Sequence, residues 1–266
     1  MMNFTLLKHE MLATIKLFSI ILAVLMLYII SIVYMYNPEM SNTLNKLTET
    51  MPELMSAFGM SNIGNSLIEF LSTYLYGFLL LVLPLVFIIM LANKLVIGYI
   101  DNGSMAYLIA TPNTRFKIVF TQAFFLVASI SVLLTATTLI AIIFSGILFP
   151  NELDLSAFLT LNIGLFFLHF AISGYCFLVS CSSKDLRTSY AYSTGIPILF
   201  YLIQALSNMG GSLEKLKYFT IYSLFTPEKL MTQDSSSFWM LGALFLIGLL
   251  CYMLAIRVFV TRDLYL

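Results

Sequence analysis

Leu17-Phe-Ser-Ile-Ile-Leu-Ala-Val-Leu-Met-Leu-Tyr-Ile-Ile-Ser-Ile-Val-Tyr-Met-Tyr36 runs for twenty positions without a charge, a glycine or a proline. At about 1.5 Å rise per residue, a helix of this length crosses a hydrocarbon layer of roughly 30 Å. The run is too long for the core of a cleavable signal, and no small-x-small cleavage pattern follows it. It is expected to be kept as a first span. Comparable stretches follow at 74–97, 119–148, 158–180, 190–206 and 238–260, so six spans are expected. The third exceeds what a crossing needs and is expected to tilt or project beyond the bilayer. Pro84 and Pro197 fall inside spans, where neighbouring helices can satisfy the freed backbone groups.

Composition agrees. Of 266 residues, 60% are hydrophobic and 10% charged, against about 45–50% and 25% in soluble domains. The expected fold class is an all-α integral membrane protein, one domain over 1–266 set in the lipid bilayer. A net charge of zero offers no basic field for nucleic acid. Cys176, Cys181 and Cys251 lie within or at the ends of apolar stretches, reading as buried hydrophobes rather than a disulfide framework.

Charge sets the expected orientation. With the N-terminus inside, the inner segments hold Lys8, Lys16, Lys94, Arg115, Lys117, Lys184, Arg187, Arg257 and Arg262. The outer loops hold only Lys46, Lys215, Lys217 and Lys229. This asymmetry follows the positive-inside rule and predicts that both termini are cytoplasmic. In the first outer loop, Leu44, Leu47, Met51, Leu54, Met55 and Phe58 recur at helical spacing, predicting an amphipathic helix. In 207–237 the run Leu213, Leu216, Phe219, Tyr222 and Phe225 is too apolar for a solvated loop and is expected to pack back on the spans.

No Walker A sequence, HExxH, GxSxG or His/Cys ligand cluster is present. Gly98-Tyr-Ile-Asp-Asn-Gly103-Ser104 has glycines but lacks the phosphate-reaching lysine. The chain is therefore expected not to be an enzyme and to hold no cofactor or metal. Energy for any work would enter through a partner.

The most informative connection lies between the second and third spans. It reads Lys94-Leu-Val-Ile-Gly98-Tyr-Ile-Asp101-Asn-Gly103-Ser104-Met-Ala-Tyr107-Leu108-Ile-Ala-Thr111-Pro112-Asn-Thr114-Arg115. Polar capping groups and a glycine at 101–104 precede a short helix-prone run, and Pro112 disfavours continuation through Thr111. Asn113 or Thr114 can cap the third span. A helix of about two turns is predicted, with Met105, Leu108 and Ile109 as its apolar side. It could dock on a cytosolic partner or simply lie on the headgroups.

The stretch from Asp101 to Arg115 resembles the first inner loop of permease subunits of type-2 ABC exporters. Those loops carry an acidic residue, a glycine, Ser or Thr, leucines, a small residue, Pro and then Arg. Here aspartate stands where glutamate is commoner. Phe4-Thr-Leu-Leu-Lys8-His-Glu10 resembles the family's amphipathic interfacial helix, and Phe259-Val-Thr-Arg262-Asp263 its short charged tail. The resemblance implies that Asp101, Gly103, Ser104, Tyr107, Leu108, Pro112 and Arg115 couple the spans to a separate cytosolic ABC ATPase subunit. ATP and Mg would be bound by that subunit. It also implies a homodimer or a heterodimer with a second permease, a place in a bacterial plasma membrane, and outward transport. Related permeases serve peptides, lipid-linked glycans and small drugs; a lining with few charges suits a hydrophobic or amphipathic cargo. The competing reading is a non-transporting scaffold, or an immunity protein that sequesters a membrane-active peptide.

Single residues carry two readings each. His169, in mid-span, is either a functional intramembrane contact or a neutral imidazole bonded to a neighbouring helix, and Gln204 and Asn162 are treated alike. Lys94 could touch a partner, though snorkelling to the headgroups accounts for it. Lys184, Asp185 and Arg187 form the second inner loop and either meet a partner or serve topology. Met40, Met51, Met55 and Met60 could bind Cu(I), but packing is the simpler expectation. Asn3-Phe-Thr5 matches a glycosylation acceptor on the expected cytoplasmic side, where it has no meaning.

Overall fold

A computed structural model describes residues 3–37, 56–57 and 66–262, and among these no strand occurs. Of the helix expected around 44–58 only residues 56–57 are described, and they are helical; the methionines at 40, 51, 55 and 60, and Asp263, lie outside the described residues.

Asn3 caps α1 (Phe4–Met35), accepting a hydrogen bond from the Leu6 amide. The Phe4–Glu10 segment is helical as expected but continuous with the first span, since no glycine or proline interrupts it. Its buried stripe, Leu6, Glu10 and Thr14, recurs every four residues, while Phe4, Met11, Leu12 and Ile15 face outward. After a capping box at Ser66 and Glu69 come α2 (Leu67–Leu71), a π-helical segment (Ser72–Leu79) and α3 (Leu80–Leu95). Two short helices follow, α4 (Ile97–Asp101) and α5 (Ser104–Ala110). Then come the long α6 (Arg115–Leu148), α7 (Leu155–Ser182) and α8 (Leu186–Asn208). Two 3-10 segments (Gly211–Phe219 and Ile221–Leu224), α9 (Pro227–Met231) and α10 (Ser235–Thr261) complete the order.

Among the described residues, five helical runs are long and apolar enough to cross a membrane: Phe4–Met35, Leu67–Asp101, Arg115–Leu148, Leu155–Ser182 and Ser235–Thr261. They contain five of the six expected spans. The sixth, 190–206, does form a helix within α8, but its hydroxyl-rich sequence keeps it out of that group. At 34 residues, α6 is about 51 Å long and outruns a hydrocarbon layer.

The pillar of the fold is α7. Its closest neighbour is α10, and glycines allow that approach. A Cβ at Gly174 would come within 2.8 Å of the Gly248 carbonyl oxygen, and one at Gly248 within 3.1 Å of the Ala171 Cα. Membrane helices associate through such small-residue contacts because lipid tails are as apolar as leucine. Ser173 and Tyr252 share a hydrogen bond of 2.8 Å across this contact. Phe166, Phe167, Phe170 and Phe245 stack beside it. At the other edge α1 runs along α6: the Asn3 amide donates to Thr121 Oγ1 at 3.0 Å, and the Tyr36 and Phe149 rings meet edge-on at 5.0 Å.

The 207–237 connection packs back on the helices in part. Tyr222, Phe225 and Leu230 are buried, and Leu230 with Phe225 covers Gly164 of α7, whereas Tyr218 and Phe219 face outward.

Candidate functional site

The segment that sequence singles out forms an arm between α3 and α6. Val96 leaves helical geometry (φ −122°, ψ −70°), and the freed Ile97 amide is satisfied by the Ser180 hydroxyl of α7 at 3.2 Å. Gly103 takes a left-handed conformation at φ 73°, which side chains rarely adopt, and among the described residues no packed group lies near where its Cβ would be. The glycine is there for its backbone, not for space. Asn102 Oδ1 accepts from the Ser104 amide at 2.9 Å and steadies the turn. The short helix ends at Ala110, and Thr111 is extended (ψ 159°) ahead of Pro112, as the X-Pro restriction predicts. Thr114, not Asn113, caps α6 by accepting from the Lys117 amide.

Opposite sides of α5 differ sharply. Met105 is fully buried, and Leu108 and Ile109 pack half-buried against the core. Tyr107 is 81% exposed, so a large aromatic ring stands out from a braced two-turn helix.

Hydrogen bonds fasten this arm to four helices. Asp101 Oδ1 accepts from the Leu186 amide at the start of α8. Arg115 donates to the Arg262 carbonyl at 2.8 Å, and Arg262 in turn donates to the Cys181 carbonyl of α7 at 2.8 Å. The Tyr99 hydroxyl donates to Glu10 Oε1 of α1 at 2.6 Å, with His9 Nδ1 3.3 Å away. Lys94 donates to the Ala13 carbonyl of α1 at 2.7 Å, so it also brackets two helices. Of the seven residues expected to couple, Asp101, Gly103 and Arg115 shape and anchor the arm, and Ser104, Leu108 and Pro112 set its helix. Tyr107 is its outward contact.

Sequence reasoning missed a buried polar cluster just before the arm. Asn93 of α3 donates to the Ile89 carbonyl and to Ser193 Oγ, and accepts from the Ser189 hydroxyl. Ser189 and Ser193 stand one turn apart on α8, so three side chains clip α3 to α8. An asparagine beside Lys94 in an apolar run was the available signal. Farther along the same seam, an apolar groove of about 420 Å³ is lined by Phe78, Val86, Met90, Tyr190, Ile198 and Tyr201 among others.

The other intramembrane polar residues are placed as follows. His169 is buried with Nδ1 3.0 Å from the Leu165 carbonyl of its own helix, and its ring also interacts with the Leu81 backbone of the neighbouring α3. Gln204 donates to Asn208, also within its own helix. Asn162 does bridge two helices, accepting from Thr138 of α6 at 2.9 Å. In the α7–α8 connection, Asp185 caps α8. The Thr188 amide and hydroxyl both donate to it and hold its carboxyl below the usual range. Among the described residues, no three His, Cys, Asp or Glu side chains gather as a metal site.

Comparison with known proteins places this arrangement. No curated protein and no solved structure matches the chain. The pattern of the ABC-2 family transporter protein matches residues 4–264, nearly the whole chain. The chain belongs to that family: it is a multi-pass membrane permease of the type-2 ABC transporters, whose permeases work with ABC ATPase partners.

Proposed function

We propose that this permease is the membrane half of an ATP-driven exporter. In this reading both termini and the α5 arm are cytoplasmic, and α8 completes six crossings. The observation that carries the proposal is α5 itself, braced by hydrogen bonds at both ends yet holding Tyr107 out at 81% exposure. A short helix with an outward aromatic and a fixed base is suited to seat in a groove of a rigid partner.

The partner is a separate ABC ATPase subunit, which binds ATP and Mg; this chain supplies no catalytic residue. ATP closes the ATPase dimer, and α5 passes the displacement to α3 and α6 through the chain and to α1, α7, α8 and the end of α10 through the bonds just described. The ATP-bound partner must bind one conformation of the spans more tightly than the other, because equal affinity shifts nothing. Two permeases, alike or different, enclose the route. The apolar groove between α3 and α8 suits a hydrophobic or amphipathic substrate, a peptide among them, carried outward; transport restricted to ions or sugars would contradict this cargo class.

The test is affinity purification from native membranes with mass spectrometry of the co-purifying proteins. It is run beside Tyr107→Asp, which alters an exposed residue, and Gly103→Pro, which cannot hold φ 73°. An ATPase that accompanies the wild type and is lost from both variants is the expected result. An ATPase retained by both moves the docking surface elsewhere. None with the intact wild type favours a sequestering or scaffold role.

A further inference from the structure

A second cavity, of about 450 Å³, opens between the end of α7 and the start of α8, and the proposed transport cycle does not use it. Tyr175, Leu178 and Val179 of α7 form one wall, and Ser183, Lys184 and Asp185 of the connection that follows form the polar end, or rim. From Tyr175 to Ser182 is seven residues of helix, about 10 Å along the axis. Headgroups occupy roughly 5–7 Å on each side of a hydrocarbon core. Since α7 ends at Ser182, the polar residues after it suit the headgroup level and the apolar residues before it suit acyl chains.

Donors and acceptors at the rim are unequal. The hydroxyls of Ser182 and Ser183 donate to the Leu178 and Val179 carbonyls, each at 2.7 Å. Thr188 donates to Asp185 and Tyr175 to the Tyr192 carbonyl. Those hydroxyl hydrogens are engaged, leaving oxygen lone pairs and the Asp185 carboxylate to face a ligand as acceptors. Lys184 supplies donors, and it forms no hydrogen bond or ion pair among the described residues. A complementary headgroup therefore carries an anionic oxygen for Lys184 and, a few ångströms away, several N–H donors for the acceptors.

We propose that this cavity is a binding site for a phospholipid with a phosphate and a primary ammonium, a phosphatidylethanolamine. Its phosphate meets Lys184, its ammonium meets Asp185 and the neighbouring hydroxyl oxygens, and an acyl chain lies along Leu178 and Val179. A phosphatidylcholine presents the same phosphate and net charge but no N–H, so it satisfies only half of the site. The bound lipid would brace the start of α8 against α7, where side-chain contact between the two helices is sparse.

The test is native mass spectrometry of the full chain in mild detergent, titrated with phosphatidylethanolamine, phosphatidylcholine or phosphatidylglycerol. The wild type should retain one phosphatidylethanolamine about fivefold more tightly than phosphatidylcholine, the worth of about one net hydrogen bond. Lys184→Gln should weaken both by about fivefold, whereas Lys215→Gln in the 207–237 connection should weaken neither. Asp185→Asn keeps a capping side chain for α8 and should erase the preference between the two lipids. Elution of each variant as an intact particle separates loss of the site from loss of the fold. Equal retention of ethanolamine and choline lipids, or no effect of Lys184→Gln, would overturn the proposal. A preference for phosphatidylglycerol would overturn the headgroup class. None of these outcomes depends on the ATPase partner, so the lipid site and the transport reading fail separately.

Discussion

The helices α7 and α8 are neighbours in sequence, yet the fold treats them in opposite ways. Fifteen of the 28 residues of α7 are buried, and it touches α3, α6, α8, α9 and α10. Only four of the 23 residues of α8 are buried: Ser189, Ser193, Pro197 and Ser207. One helix is held by close apolar packing through glycines, the other by a few hydrogen bonds along a single stripe. Packing is dense and has one solution, while hydrogen bonds between helices in a membrane contribute only about 0.6 kcal/mol each on average. The difference marks α7 as the packed scaffold and α8 as the loosely held helix.

Placing the same substitution in both helices gives the sharpest contrast. Gly174→Ala drives a methyl to 2.8 Å from a backbone carbonyl and 3.1 Å from the Cys251 Cβ, neither of which can rotate away. It should destabilise by about 2 kcal/mol and lower the thermal unfolding midpoint of the detergent-solubilised protein. At Gly195, in α8, no other packed group among the described residues lies within 4 Å of the added methyl. Gly195→Ala should be neutral, or stabilise by about 0.5 kcal/mol, since alanine restricts the unfolded chain. Equal midpoints for the two variants would erase the distinction between the helices.

A smaller effect is expected at the clip. Asn93→Leu removes the bonds to Ser189 and Ser193, two interhelical contacts worth about 1 kcal/mol together. The loss should appear as faster hydrogen exchange confined to α8, with α7 and α10 unchanged. Exchange rising evenly across the bundle would mean that α8 is not a separable element.

The same contrast explains what could be read from sequence. Apolar runs expose spans because the bilayer sets their length, and Pro112 with Thr114 fixes the ends of the arm by rules acting over a few residues. Met105 and Tyr107 could be assigned to opposite sides of α5 from helical spacing alone. The bonds that fasten the arm were not legible. Lys94 meets a carbonyl 81 residues away, and Arg115 meets one 147 residues away. Every residue offers a carbonyl, so such pairing leaves no pattern in the sequence. Nor does a hydropathy run distinguish a packed span from a loosely held one. The hydroxyls of α8, at Thr188, Ser189, Ser193 and Thr194, were the sign that it differs, and they acquire meaning only once Asn93 stands opposite two of them.

The smallest effect lies at the first turn of α8, where the exposed Asp185 caps the helix. Because the folded carboxyl sits below its ordinary range, the ionised cap contributes fully above that range. Its contribution is lost as pH falls through the depressed value. Asp185→Ala should accelerate exchange of the Thr188 amide at neutral pH, and Asp185→Asn should largely preserve its protection, since asparagine also caps. In the wild type, protection of that amide, corrected for its intrinsic rate, should weaken only in acid. If α8 were held as α7 is, fraying of one turn would leave the Asn93 contacts undisturbed. With so little else to hold it, Asp185→Ala should also raise exchange at Ser189, one residue along and bonded to Asn93. Protection that falls at Thr188 and stays intact at Ser189 would show that the clip, rather than the cap, fixes the start of the helix.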